Sequence, residues 1–346
     1  MKPTENDRLY QVLKNQICSR IFHGEYPDGA YLPAERTLAE SFGISRVTVR
    51  KGLALLEADG ILHRVRGSGN RVGLAQAGYR GSMDLIAVLA HGQNVFFASF
   101  IDTFQRTAEA KDSLVLFKRS PPGERLEESL FKLFQKNIRN AVIWLEDQRI
   151  DLEYLRRLRG LGMNMVFFDV VVPSPYADCV LLHNEAAIRT LSRCLADRGA
   201  HRLGYVGWDN ETISSVRERE QAFTRLEPGP AFIQRVSWSE RGNLGTASEQ
   251  LADRLKRAAD PPEAILCGDG EIGVAIKKAL LSRGLAGIQV ASPDEYPESR
   301  ALAIQVYAQD FGKMAERTLQ CLVDQNRPGW TASIYPIDGE LVPASR

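Results

Sequence analysis

The sequence predicts a multidomain protein, with a small head of three helices and a hairpin followed by a two-lobed α/β body. Three observations carry this. The length, 346 residues, suits two or three domains. Up to residue 74, apolar residues recur at helical spacing and are punctuated by Gly and Pro. From Leu85 onward, short apolar runs alternate with longer amphipathic segments, as in parallel sheets covered by helices on both faces. The body is too long for one such sheet, so two lobes are expected.

Leu9, Val12, Leu13, Gln16 and Ile17 keep helical spacing, and the helix ends near Gly24. Pro27 and Gly29 place a loop from Tyr26 to Leu32. Pro33 has no backbone N–H to lose and opens a second helix, which Gly43 ends. Ser45 caps a third helix that turns Val49, Leu53 and Leu56 inward and stops at Gly60. Residues 61–65 and 70–72 then form two short strands around Arg66-Gly67-Ser68-Gly69. Residues 75–82, with small residues, two glycines and no apolar period, read as a linker. The expected units are therefore 1–74, 75–82 and 83–346. In the body, strands are expected at 85–90, 114–118, 141–145, 165–170, 179–182, 203–207, 232–236, 264–267, 288–291 and 303–307. Helices are expected at 98–111, 124–137, 151–161, 185–198, 215–226, 243–258, 270–283 and 310–325.

Composition narrows the function. Hydrophobic residues make up 44% and charged residues 25%, which is globular rather than disordered. No apolar run is long enough to span a membrane, so no membrane partner is expected. The first residues mix both charges and lack the apolar core of a secretory signal. Five scattered cysteines form no CxxC pair, which argues against a disulfide framework or a zinc ribbon and for a reduced, cytoplasmic protein. The histidines are dispersed and there is no HExxH or GxSxG, so no enzyme, metal or cofactor is expected. The net charge of +1 hides an asymmetry. Residues 1–80 hold 12 Lys+Arg and 8 Asp+Glu, whereas the rest is slightly acidic. A basic head suits a polyanion.

Two close helices joined at Gly43 form a helix-turn-helix, whose second helix would enter the DNA major groove. The exposed positions expected on it are Arg46, Thr48, Arg50 and Lys51. Arg46 suits the bidentate edge of guanine. Arg36 would face the backbone or groove edge, and Arg64, Arg66 and Gly67 a neighbouring minor groove. Gly67-Ser68-Gly69 is not a phosphate loop, because no Gly-Lys-Ser/Thr follows. The runs Leu32 to Ala39, Phe42 to Arg50, Leu56 to Leu62 and Arg66 to Gly69 resemble the winged helix-turn-helix of GntR-type bacterial regulators. The resemblance implies DNA contacts from Arg36, Ser45, Arg46, Thr48, Arg50, Arg66 and Gly67, with Pro33 and Glu35 structural.

The body resembles the sugar-sensing domain of lac-repressor-type regulators, akin to type I periplasmic binding proteins. The arabinose-repressor type joins such a body to a GntR head. The segments that carry this are Asn94-Val95-Phe96-Phe97, Val166 to Asp169, His183 to Ala186, Ser215 to Phe223, Cys267 to Gly270 and Gln309 to Phe311. Ala222 stands where that family has glycine, and the compact stretch 292–300 leaves Asp294 unassigned. The resemblance implies a ligand cleft that contains Arg219, Asp269 and Asp169. A polyol suits such a cleft, since its hydroxyls take bidentate polar partners and its ring stacks on aromatics. Ligands of open α/β sheets sit at the carboxyl ends of the strands. Phe97 and Trp238 would stack, and Asn94 and Gln309 would hydrogen-bond. Phe96 and Trp144 are expected in the core. Arg217 is expected to pair with Glu218 or Glu220, and Asp310 to cap a helix.

The expected function is a ligand-responsive transcriptional repressor of carbohydrate-use genes. It would bind operator DNA as a homodimer and be relieved by a small sugar. The alternatives are a nucleoside or sugar-phosphate effector, or activation. A solute-binding protein without gene control and an enzyme with a regulatory head are the rivals from other classes. Coupling is expected through head spacing or mobility, because the linker composition is flexible.

Overall fold

The computed structural model describes residues 5–74, 83–90, 95–119, 123–144, 149–227 and 229–342, with side chains described except at 5–8 and 95–97. The expected linker, 75–82, lies outside them, as does Asn94.

In the head, α1 (Glu5–Phe22), α2 (Glu35–Phe42) and α3 (Arg46–Ala58) precede an antiparallel hairpin of β1 (Leu62–Val65) and β2 (Gly69–Val72). Gly43 ends α2 in the left-handed region at φ 62°, where its missing Cβ removes the steric penalty. Ser45 caps α3, its Oγ accepting from the Thr48 N–H at 3.1 Å. Leu13, Ile17, Leu38, Val49, Leu53, Leu56 and Val72 form the core of the head. At Gly52 a Cβ would meet Leu13 Cδ2 at 2.8 Å, so glycine permits the close approach of α1 and α3.

The first lobe holds β3 (Leu85–Ala90), α4 (Val95–Glu109), β4 (Leu114–Arg119), α5 (Leu126–Gln135), β5 (Asn140–Trp144), α6 (Leu152–Gly160), β6 (Asn164–Phe168) and β7 (Asp178–Leu182). The second holds α7 (Asn184–Asp197), β8 (Leu203–Trp208), α8 (Ser214–Thr224), β9 (Phe232–Val236), α9 (Leu244–Arg257), β10 (Ala264–Cys267), α10 (Gly270–Ser282), β11 (Gln289–Ser292) and β12 (Gln305–Ala308). α11 (Phe311–Asp324) and β13 (Ile334–Ile337) return to the first lobe, and β14 (Glu340–Val342) closes the second. The first sheet, in order β13-β7-β6-β5-β3-β4, is wholly parallel. The second, in order β14-β12-β11-β10-β8-β9, is parallel except at β14.

The chain crosses between lobes at His183, at Gln309-Asp310 and at Asp338-Gly339. His183 Nδ1 lies 2.8 Å from Asp338 Oδ1, which ties the first crossing to the third. Strands buried on both faces read as apolar runs. In β6, Met165 and Phe167 face α5 and α6, whereas Val166 and Phe168 face α4 and α11.

The ten expected body strands and eight expected body helices are all present, with ends moved by a few residues. The expectation stopped short of β13 and β14, which complete the two sheets. Asp310 does cap α11, accepting from the Lys313 N–H at 2.9 Å.

The head also packs on the first lobe. Its core is continuous with that of α5 and α6.

Candidate functional site

The third helix is phased by its cap. Arg46, Val47, Arg50 and Lys51 are exposed, while Thr48 and Val49 are buried. Thr48 was expected on the outer face, and the structure corrects this. Its backbone N–H is held by Ser45 and its hydroxyl lies 2.8 Å from Ser45 Oγ, which leaves the side chain 4% exposed. Val47 takes the outward position. Ser45, Arg36, Arg66 and Gly67 are all exposed, the last two at the hairpin tip. Arg50 Nη2 meets Glu35 Oε2 at 2.9 Å, and this hydrogen bond holds the Glu35 carboxyl below its usual range. Glu35 thus fixes a cation of α3 from α2. Arg36 pairs with Glu40 in the same helix.

The contact between head and lobe is aromatic. The Phe22 ring, at the end of α1, stacks on Phe131 of α5 with centroids 4.3 Å apart, and Tyr154 of α6 meets it edge-on at 4.8 Å. Arg157 Nη1 donates to the Phe22 carbonyl at 3.1 Å. A Cβ at Gly160 would meet Leu74 Cβ at 2.5 Å, so α6 approaches the end of the head through a glycine.

Between the lobes lies a cavity of about 140 Å³ at the carboxyl ends of β5, β6, β8 and β10. Of the expected ligand residues, Asp169, Arg219, Trp238, Asp269 and Gln309 line it together. Asn94 and the Phe97 side chain lie outside the described parts. Trp144, expected in the core, packs against Phe100 and Phe168 there and also lines the cavity, because it ends β5 where the sheet opens. The expectation missed Trp208, Ser215, Arg241, Glu271, Asp294 and Tyr296. Trp208 ends β8 as Asp169 follows β6, so the strand-end rule could have found it. No sequence signal marks Arg241 or Tyr296.

Several of the polar groups already pair with one another. Arg219 is buried on α8. Its Nη1 donates to Asp294 Oδ2 at 3.0 Å and to the Gly268 carbonyl at 2.8 Å, and its Nε donates to Asn184 Oδ1 at 2.8 Å. Burial opposes this charge, but Asp294 and Asp169 outweigh it and hold the guanidinium protonated. Gln309 Nε2 donates to the other oxygen of Asp294 at 2.7 Å. Asp269 caps α10, accepting from the Ile272 N–H at 2.8 Å, and its second oxygen accepts from Trp208 Nε1. Ser215 Oγ of the second lobe donates to Asp169 of the first at 3.2 Å, so the cleft is bridged at that point. Asp169 sits in the left-handed region at φ 59°, tolerable for Asp but uncommon, and often found at functional sites.

Burial pushes both Asp169 and Asp269 up to about 6, and Asp294 adds to each by repulsion. Trp208 and Trp238 meet edge to face at 5.4 Å, and Arg241 lies over Trp238 at 4.8 Å. Arg217 donates to the Glu211 carbonyl, rather than pairing with Glu218 or Glu220. Among the described residues, no group of His, Cys, Asp and Glu is placed to hold a metal ion.

Fold and site together define a helix-turn-helix head with a β-hairpin, joined to a two-lobed α/β body with a cavity between its lobes. Residues 9–72 match the model of the bacterial regulatory proteins, gntR family. Over 308 residues, 86% of this chain, the sequence is 21% identical to the arabinose metabolism transcriptional repressor of Geobacillus stearothermophilus, covering 85% of that protein. The head alone is 42% identical over 72 residues to the Exu regulon transcriptional regulator of Escherichia coli K12. That match spans 21% of this chain and 28% of the relative. The lac repressor dimer bound to operator and the anti-inducer ONPF superposes with a TM-score of 0.63 at 16% identity, over 77% of this chain and 95% of that one. The chain therefore carries a gntR-type head on a body with the lac-repressor sensor fold.

Proposed function

We propose that this protein is a cytoplasmic, ligand-responsive transcriptional repressor of carbohydrate-use genes, relieved by a small uncharged sugar, and not an enzyme. Residues 1–74 read operator DNA, 75–82 tether the head, and 83–346 sense the ligand and pair two copies. The relatives with this architecture support the assignment, as does the absence, among the described residues, of a helix long and apolar enough to cross a membrane. A dimer sets two heads on a pseudo-palindromic site. Arg36, Ser45, Arg46, Arg50, Arg66 and Gly67 contact the DNA, and Thr48 acts by holding Ser45.

One observation carries the ligand class. Among the described residues, the cavity is lined by four carboxyl groups (Asp169, Asp269, Glu271 and Asp294) against two guanidiniums, and Arg219 is already bound to protein acceptors. A phosphate entering there would meet like charge, with Arg219 already engaged by Asp294 and the Gly268 carbonyl. A neutral polyol offers hydroxyl donors to the carboxylates and an apolar face to the tryptophans. Asp169, Arg219, Trp238, Asp269 and Gln309, with Asn94 and Phe97, are the proposed contacts. Closure around the ligand changes DNA affinity only by favouring one head arrangement over another.

The test is a thermal-shift screen against free pentoses and hexoses, uronic acids and sugar phosphates. A neutral binder at 100 times its Kd adds about 2.7 kcal/mol of stability. Selective stabilisation by phosphates contradicts the charge reading.

A further inference from the structure

We propose that Val47 is a specificity-determining residue of the head and recognises a thymine methyl group in the operator. The inference rests on the DNA-binding reading above. Val47 is 61% exposed, more than any other large apolar residue of the head among those described. It stands at the second position of α3, between the capping Ser45 and the exposed Arg50, and directly after Arg46.

The burial of Thr48 produces this. Successive helical positions turn by about 100°, so drawing Thr48 inward to Ser45 places Val47 on the outer face. An isopropyl group there gains nothing from water. It also cannot satisfy the donors and acceptors of a guanine, cytosine or adenine edge.

The major-groove edge offers one apolar group, the C5-methyl of thymine. Contact with it removes both methyls from water. Contact with cytosine instead strips water from the N4 amino group without replacing the hydrogen bond. Val is β-branched and holds a single χ1 rotamer on a helix, so the group is presented without further loss of rotamer freedom. The arginines beside it provide charge and a guanine contact, and Val47 adds discrimination at a thymine.

The test uses the full chain. A duplex is selected from a random library, and its affinity is measured by fluorescence anisotropy at fixed salt. Each thymine is then replaced singly by deoxyuridine, which removes only the methyl. One replacement per half-site is expected to weaken binding about three- to tenfold. Val47→Ser is expected to bind the thymine and uracil duplexes equally, and Val47→Ile to keep the difference. Insensitivity of the wild type to every replacement overturns the proposal, as does a difference that persists in Val47→Ser. Either result leaves the DNA-binding reading intact. Failure to retain any duplex at low salt defeats that reading and this inference with it.

Discussion

The ring of Phe22, on the head, lies flat on that of Phe131, on the first lobe, with the two planes 1° apart. With Tyr154 edge-on and Arg157 bonded to the Phe22 carbonyl, this stack gives the head a fixed seat on α5 and α6. A route from cleft to DNA through packed surfaces is therefore available. Coupling had been expected through head spacing or mobility rather than through a rigid connector.

Removing the seat separates sensing from reading. Phe131 is buried, and Phe131→Ala is expected to destabilise the chain by about 3–5 kcal/mol. The milder Phe131→Leu is expected to leave both ligand and operator binding measurable while shrinking the effect of one on the other. Operator titrations with and without sugar, on the wild type and Phe131→Leu, check this.

Asp169 is expected to trade stability for binding. Its carboxyl is lifted by burial from 3.8 to about 6, so the folded state holds a proton that the unfolded state has released between those values. The penalty is absent below pH 3.8, grows as pH rises towards 6 and is complete above. Asp169→Asn is expected to raise the melting temperature by a few degrees at pH 7.5, with no gain at acid pH, and to weaken ligand binding at least tenfold. Asn also tolerates the left-handed backbone. Melting curves across pH, together with a ligand titration, test both halves.

Arg219 joins α8 to Asp294, the Gly268 carbonyl and Asn184, so it holds the floor of the cleft together. Arg219→Ala leaves Asp294 buried without its cation, and a loss of about 3–5 kcal/mol is expected. Arg219→Lys keeps the charge but not the fork. It is expected to fold and to lose the ligand-induced thermal shift.

On the head, Arg46→Ala is expected to cost about 1–3 kcal/mol of operator affinity and to relax preference at one base pair. Arg66→Ala is expected to weaken all duplexes about equally and to flatten the salt dependence by about one counterion. Glu35→Ala frees Arg50 from its partner and is expected to weaken specific binding by misplacing that cation. Salt titrations on specific and random duplexes separate the three.

Much of this architecture was legible because its punctuation is local. Pro33, Gly43, Ser45 and Gly60 mark the ends of head helices, and apolar runs bounded by turns mark the strands. Helix phase was less so. Thr48 and Val47 differ by one position, and the choice between them depends on a hydroxyl contact with Ser45 that no periodicity reveals. The cleft was half legible. Asp169 and Asp269 follow strands, but Asp294 and Tyr296 arrive from a short stretch with no pattern of its own. The seat of the head was not legible, since Phe22 and Arg157 are 135 positions apart and look like ordinary core and surface residues.

The central claim is that an uncharged ligand in the cleft governs the head. Its most direct measurement is operator affinity of the full-length protein, by anisotropy, with and without the sugar that gives the largest thermal shift. The account predicts at least tenfold weaker operator binding with the sugar, no effect of its phosphate ester, and no response in Arg219→Lys. An operator affinity unchanged by saturating sugar, or relieved only by the phosphate ester, would contradict it.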